Sequence, residues 1–149
     1  MFLVLPRIAQ KLGTLKKAVT RSKIDESLRK NYKMMTDKNI TPYRDQRIIA
    51  LKVIDWCLEE FEICASIKLK LGDYNKFKCW GQCYEGNGDH HYIIEIAKDQ
   101  TLRDFVATVV HEMIHVKQWV TGEWQGDGEA EAERWQYLLS SKIWNDNIL

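Results

Sequence analysis

Histidine is scarce in this chain and unevenly placed: of 149 residues only four are histidine, and none follows His115. Proline occurs twice, which leaves long stretches free to form helix. No apolar run approaches the roughly 20 residues that a bilayer span requires, so a membrane protein is not expected. The apolar start Met1-Phe2-Leu3-Val4-Leu5 stops at Pro6-Arg7, with no basic leader and no small-residue cleavage site. No signal peptide is therefore read there, and a cytoplasmic location is expected. Cysteine is limited to Cys57, Cys64, Cys79 and Cys83, with no C-x-x-C pair. That excludes a disulfide scaffold and fits free thiols in a reducing compartment. Cys79 and Cys83 fall in an expected strand, and nothing nearby completes a structural zinc site around them.

What is present describes one globular domain. The length supports a genuine core, and the hydrophobic and charged fractions, 45% and 29%, are those of a folded protein. Net charge is only +1, but it is polarised. Residues 1–38 carry ten Lys/Arg against three Asp/Glu, and residues 99–149 carry four against nine. The basic segment 1–38 is expected to be a helical arm that could meet nucleic acid, an acidic partner or the acidic half of its own chain. A solvated helix face is the simpler account of it.

Periodicity places helices over about Leu5–Lys17 and Asp25–Met35. A third follows Thr41-Pro42 and runs to about Glu62, with Ile48, Leu51, Ile54, Trp56, Leu58 and Phe61 towards the core. Strands are predicted over Ile63–Leu71, Phe77–Tyr84 and His91–Ala97, separated by turns short enough for a mainly antiparallel meander. Thr101-Leu102-Arg103-Asp104 reads as a helix cap, and Gly122 as the end of the helix it opens. An acid-headed helix from near Asp127 to about Trp144 completes an α+β domain over residues 39–149.

The middle of that capped helix reads His111-Glu112-Met113-Ile114-His115, the H-E-x-x-H pattern. Residues four apart share a helix face, so the two imidazoles can meet one metal ion, with Glu112 beside them to handle the proton of a water. A catalytic zinc generally takes a third protein ligand. Gln118 and Thr121 stand where the long three-histidine form has glycine and histidine, and no later histidine exists. The third ligand is therefore an acid, unless His90 or His91 folds back. Asp127, Glu129, Glu131 and Glu133 head the next helix, after a loop long enough to reverse the chain.

These residues resemble the small zincins of glutamate-ligand type, similar to the compact metallopeptidases common in bacteria and their phages. His111 to Gln118 resembles their first motif, and Glu129-Ala130-Glu131-Ala132 resembles a second, E-x-x-A, whose first Glu binds metal. The resemblance covers roughly residues 90 to 140. It implies a zincin-like fold, zinc held by His111, His115 and Glu129, and Glu112 as general base in peptide hydrolysis. The spacing leaves Asp127 and Glu133 open as ligands. Tyr137, two turns beyond Glu129, is the favoured donor to the oxyanion, with Arg134, His90 and His91 as alternatives. The strand His91–Ala97, before the active-site helix, would be the edge that binds an extended or unfolded peptide. Two other functions fit the same sequence: a catalytically silent zincin-like binding or assembly module, possible in a phage-associated protein, and a nucleic-acid-associated protein acting through residues 1–38.

Overall fold

The computed structural model describes residues 43–146 and Leu149. The basic arm, its two expected helices and the Thr41-Pro42 cap lie outside the described residues. Helix α1 (Tyr43–Phe61) buries Ala50, Val53, Ile54, Cys57 and Phe61, a stripe at three- and four-residue spacing. Ile48 and Leu51, expected on that stripe, are exposed at 45% and 41% among the described residues. Ile54, Trp56 and Phe61 are buried as expected and Leu58 is half-buried, so the expected face departs only at Ile48 and Leu51.

Strand β1 (Ser66–Gly72) leads into a single helical turn, α2 (Tyr74–Phe77), followed by β2 (Gly81–Glu85) and β3 (His91–Ala97). The sheet order is β1-β3-β2, with β1 parallel to β3 and β2 antiparallel to it. This corrects the expected meander. The sequence reading took Phe77 onward as strand, but Asp73 accepts a hydrogen bond from the Lys76 amide at 2.7 Å and winds the chain into α2. Asp99 also accepts the Tyr74 amide, at 2.9 Å. Lys78 takes a left-handed conformation, with φ of 59°, and ends the turn. This longer link lets β2 land on the far side of β3, where the short turn before His91 joins them as a hairpin.

Helix α3 (Leu102–Thr121) lies at the centre and contacts α1, β2, β3 and the final helix α4 (Glu129–Asn145). Four described helices and a three-stranded sheet make this a mixed α+β fold. The caps of α3 match the sequence expectation: Thr101 accepts the Asp104 amide at 3.2 Å, and Gly122 closes the helix with φ of 71°. Thr101→Ala is expected to cost about 1 kcal/mol of stability, read as a lower denaturation midpoint with an unchanged slope.

Helix α3 is buried on more than its apolar side. Phe105, Val106, Val109, Val110, Met113 and Ile114 fill the core, yet Glu112, His115, Lys117 and Gln118 are also buried. Burying polar groups is costly unless each finds a partner. For His115, Lys117 and Gln118 those partners come from α4 and from Gly128 just before it, while Glu112 faces β2.

Candidate metal centre

His111 and His115 project from consecutive turns of α3, and Glu129 opens α4 opposite them. Nε2 of His115 lies 2.8 Å from Oε1 of Glu129, and Nε2 of His111 lies 3.1 Å from its Oε2. The two Nε2 atoms are 3.3 Å apart. Ligand atoms about 2.0–2.1 Å from a tetrahedral ion stand roughly 3.3 Å from one another, so the imidazole pair already has the required spacing. His111, His115 and Glu129 form a group that could hold a metal ion, with its ligand atoms all within 4.8 Å. Glu129 is about half exposed, at 49% for its side chain, so the group faces outward on that side.

The opposite ring nitrogens are also engaged. Nδ1 of His115 lies 2.8 Å from Oε1 of Gln118, and Nδ1 of His111 lies 2.6 Å from Oε1 of Gln136. An amide oxygen only accepts, so these contacts suit the tautomer with the proton on Nδ1 and the Nε2 lone pair turned towards a metal. Trp119 stacks against the His115 ring, with centroids 6.4 Å apart. Donor identity, spacing and tautomer therefore all fit a divalent metal that favours nitrogen and oxygen ligands.

The remaining acids have other work. Asp127 accepts the Glu129 amide at 3.0 Å from just ahead of Gly128, the N-cap of α4. Glu131 accepts from Lys117 and from Gln118, at 3.1 and 3.3 Å. Glu133 is exposed one turn beyond Glu129 and belongs to no ligand group among the described residues. His90 and His91 are exposed around the turn that opens β3 and are likewise outside the group.

Glu112 sits between the histidines along the chain but faces β2. Adding a Cβ at Gly81, the first residue of β2, would place it against Thr108 and 3.2 Å from a Glu112 carboxylate oxygen. The strand beside this carboxylate is therefore β2, not β3. Because β3 is paired on both sides, it cannot be the substrate edge expected from the sequence. The free edge at the site belongs to β2, which pairs only with β3 among the described residues. Burial pushes the Glu112 carboxyl above the usual carboxylate range; His111 and His115 pull it down, and Glu129 adds to the rise. The Cys83 thiol, one step along β2 on the same face, is pushed up by burial and by Glu112, and so stays protonated and unreactive.

Tyr137 lies on the wall of a neighbouring hollow of about 500 Å³, which Trp80, Asp104, Thr108 and Gln136 also line. Its hydroxyl donates to Asp104 at 3.3 Å, and Arg103 stacks on its ring at 4.7 Å. Burial, and then the Asp104 charge, hold the phenol above its ordinary pKa, so it remains a donor. Arg134 stacks on Trp135 at 5.0 Å, and both line a second hollow with Trp124 and Glu131. Comparison with protein-family models, with curated proteins and with solved structures finds no match to this chain. The functional reading therefore rests on the geometry alone. Sequence reasoning missed Gln118 and Gln136. Their only signal was spacing: three residues past His115, and seven past Glu129.

Proposed function

We propose that this protein is a zinc-dependent peptidase of the zincin type, with His111, His115 and Glu129 as ligands and Glu112 as general base. One observation carries the reading: two imidazoles whose Nδ1 atoms meet amide oxygens converge with the Glu129 carboxylate, beside a second, buried carboxylate, Glu112, that is not in the ligand group. A purely structural metal site has no use for that extra carboxylate. Bound there, Zn²⁺ would act as a Lewis acid and bring the pKa of a coordinated water towards ~7.

The chain supplies the rest. Glu112 is buried beside the ligand group without belonging to it; it accepts the proton of the attacking water and returns it to the leaving amine. The open edge of β2 offers backbone N–H and C=O groups to an extended peptide, which adds as a further strand. This pairing would lay the scissile bond along α3, near Glu112. Tyr137 can donate to the developing oxyanion once its hydroxyl leaves Asp104.

Metal analysis of protein purified without chelator tests the reading first. About one zinc per chain is expected, lost on dialysis against a strong chelator. A chain with no metal after incubation in zinc would defeat it. One zinc per chain without cleavage of any unfolded protein would instead favour a silent binding module. No helix among the described residues is long and apolar enough to cross a membrane.

A further inference from the structure

Gln118 is almost fully buried, and every polar atom of its side chain is engaged. Its Nε2 donates to the carbonyl of Gly128 at 3.0 Å and to Oε1 of Glu131 at 3.3 Å. Both partners only accept, so the amide cannot be turned round, and Oε1 must face Nδ1 of His115. Gly128 immediately precedes the ligand Glu129. It holds φ of 82°, and a Cβ added there would run into the Gln118 amide. One amide thus holds the second ligand through its oxygen and the backbone leading to the third through its nitrogen.

We propose that Gln118 is a positioning residue that registers His115 and Glu129 with each other, so that the metal site is assembled before the metal arrives. The inference rests on the metal-centre reading above. Helices α3 and α4 are joined by a seven-residue stretch, Gly122–Gly128, that contains no regular element. Core packing through the buried Ala132 docks α4 against α3, and the Gln118 bridge fixes the backbone just ahead of Glu129. Glu131 strengthens the bridge. Its Oε1 also receives the buried Lys117 ammonium at 3.1 Å, so the charge that the amide meets is compensated. Gln136 differs: it reaches His111 from within α4 itself and fixes a ring without bridging to the loop.

Two substitutions separate ring orientation from the bridge. Gln118→Leu keeps the bulk and removes both halves. Gln118→Glu keeps an acceptor for the His115 Nδ1 proton but sets a carboxylate against the Gly128 carbonyl and Glu131. The readouts are Zn²⁺ affinity by chelator competition and the visible spectrum of the Co²⁺-loaded protein, with circular dichroism to confirm the fold. Q118L is expected to lose roughly 10- to 100-fold in zinc affinity, the usual effect of removing an outer-shell partner. Q118E is expected to weaken zinc binding by about tenfold or more, and to alter the Co²⁺ bands because Glu129 is misplaced. If ring orientation were all that mattered, Q118E would bind as tightly as the wild type or tighter; that result overturns the inference. If Q118L does not fold, Q118E decides alone. A wild type that binds no zinc would bring down the metal centre and this inference together. Tight wild-type binding matched by Q118E would bring down the inference alone.

Discussion

Glu112→Gln is expected to abolish peptide hydrolysis while leaving the zinc in place. The amide has the shape of the carboxylate but no basic lone pair of comparable strength, so it cannot take the proton of the attacking water. General-base catalysis contributes about 10²–10⁴-fold, so kcat should fall by at least two orders of magnitude. Zinc affinity should change little, because Glu112 belongs to no ligand group and faces Gly81 and Thr108 on the β2 side. The measurement pairs cleavage of an unfolded protein substrate with metal content of the same sample. Residual activity within tenfold of wild type would remove Glu112 from its role. Loss of metal would show that it coordinates. A nearby substitution sets a control: Cys83→Ser lies on the same face of β2, and the thiol has no part in the proton transfer, so activity should survive it.

Much of this site was legible in the sequence because helical geometry alone determines part of it. Four residues make one turn, so His111 and His115 share a face in any helix, and the absence of later histidines turned attention to the acids of α4. The resemblance already points to Glu129, but separating it from Asp127 and Glu133 needs three dimensions. Asp127, Glu129 and Glu131 are two residues apart and chemically alike, but one accepts the Glu129 amide, one meets the imidazoles and one meets Lys117. That division depends on where the loop before α4 delivers the chain, which no local pattern encodes. The sheet shows the same limit. His91–Ala97 was read as a strand with its observed bounds, because its Tyr and Ile alternation is strong. Its partners were not, since one capped turn at Asp73 decided that β1 would lie parallel to it. With β3 in the middle, the open sheet edge beside Glu112 is β2. The two glutamines were hidden for another reason: an amide carries no charge and occurs everywhere on protein surfaces, so only burial distinguishes Gln118.

Glu129→Ala should reduce zinc affinity more than any other single change among the downstream acids. Structural zinc sites bind with about 10–16 kcal/mol overall, so one protein ligand of three accounts for roughly 3–5 kcal/mol, and its loss weakens binding by more than about a hundredfold. Asp127→Ala should act differently. It removes the acceptor of the Glu129 amide, which costs about 1 kcal/mol of stability and only indirectly loosens the ligand. Glu133→Ala, on an exposed residue one turn away, should leave zinc affinity within about twofold, because a distant surface charge is screened by solvent. Measuring the three variants side by side by chelator competition gives the order Glu129 far above Asp127, and Asp127 above Glu133. If Glu133→Ala were the damaging change, the chain would have to turn by a full helical step to bring that carboxylate to the imidazoles, breaking the Gln118 contact with Gly128 and the Lys117 contact with Glu131. Those contacts are buried, and they hold Glu129 at the mouth of the site.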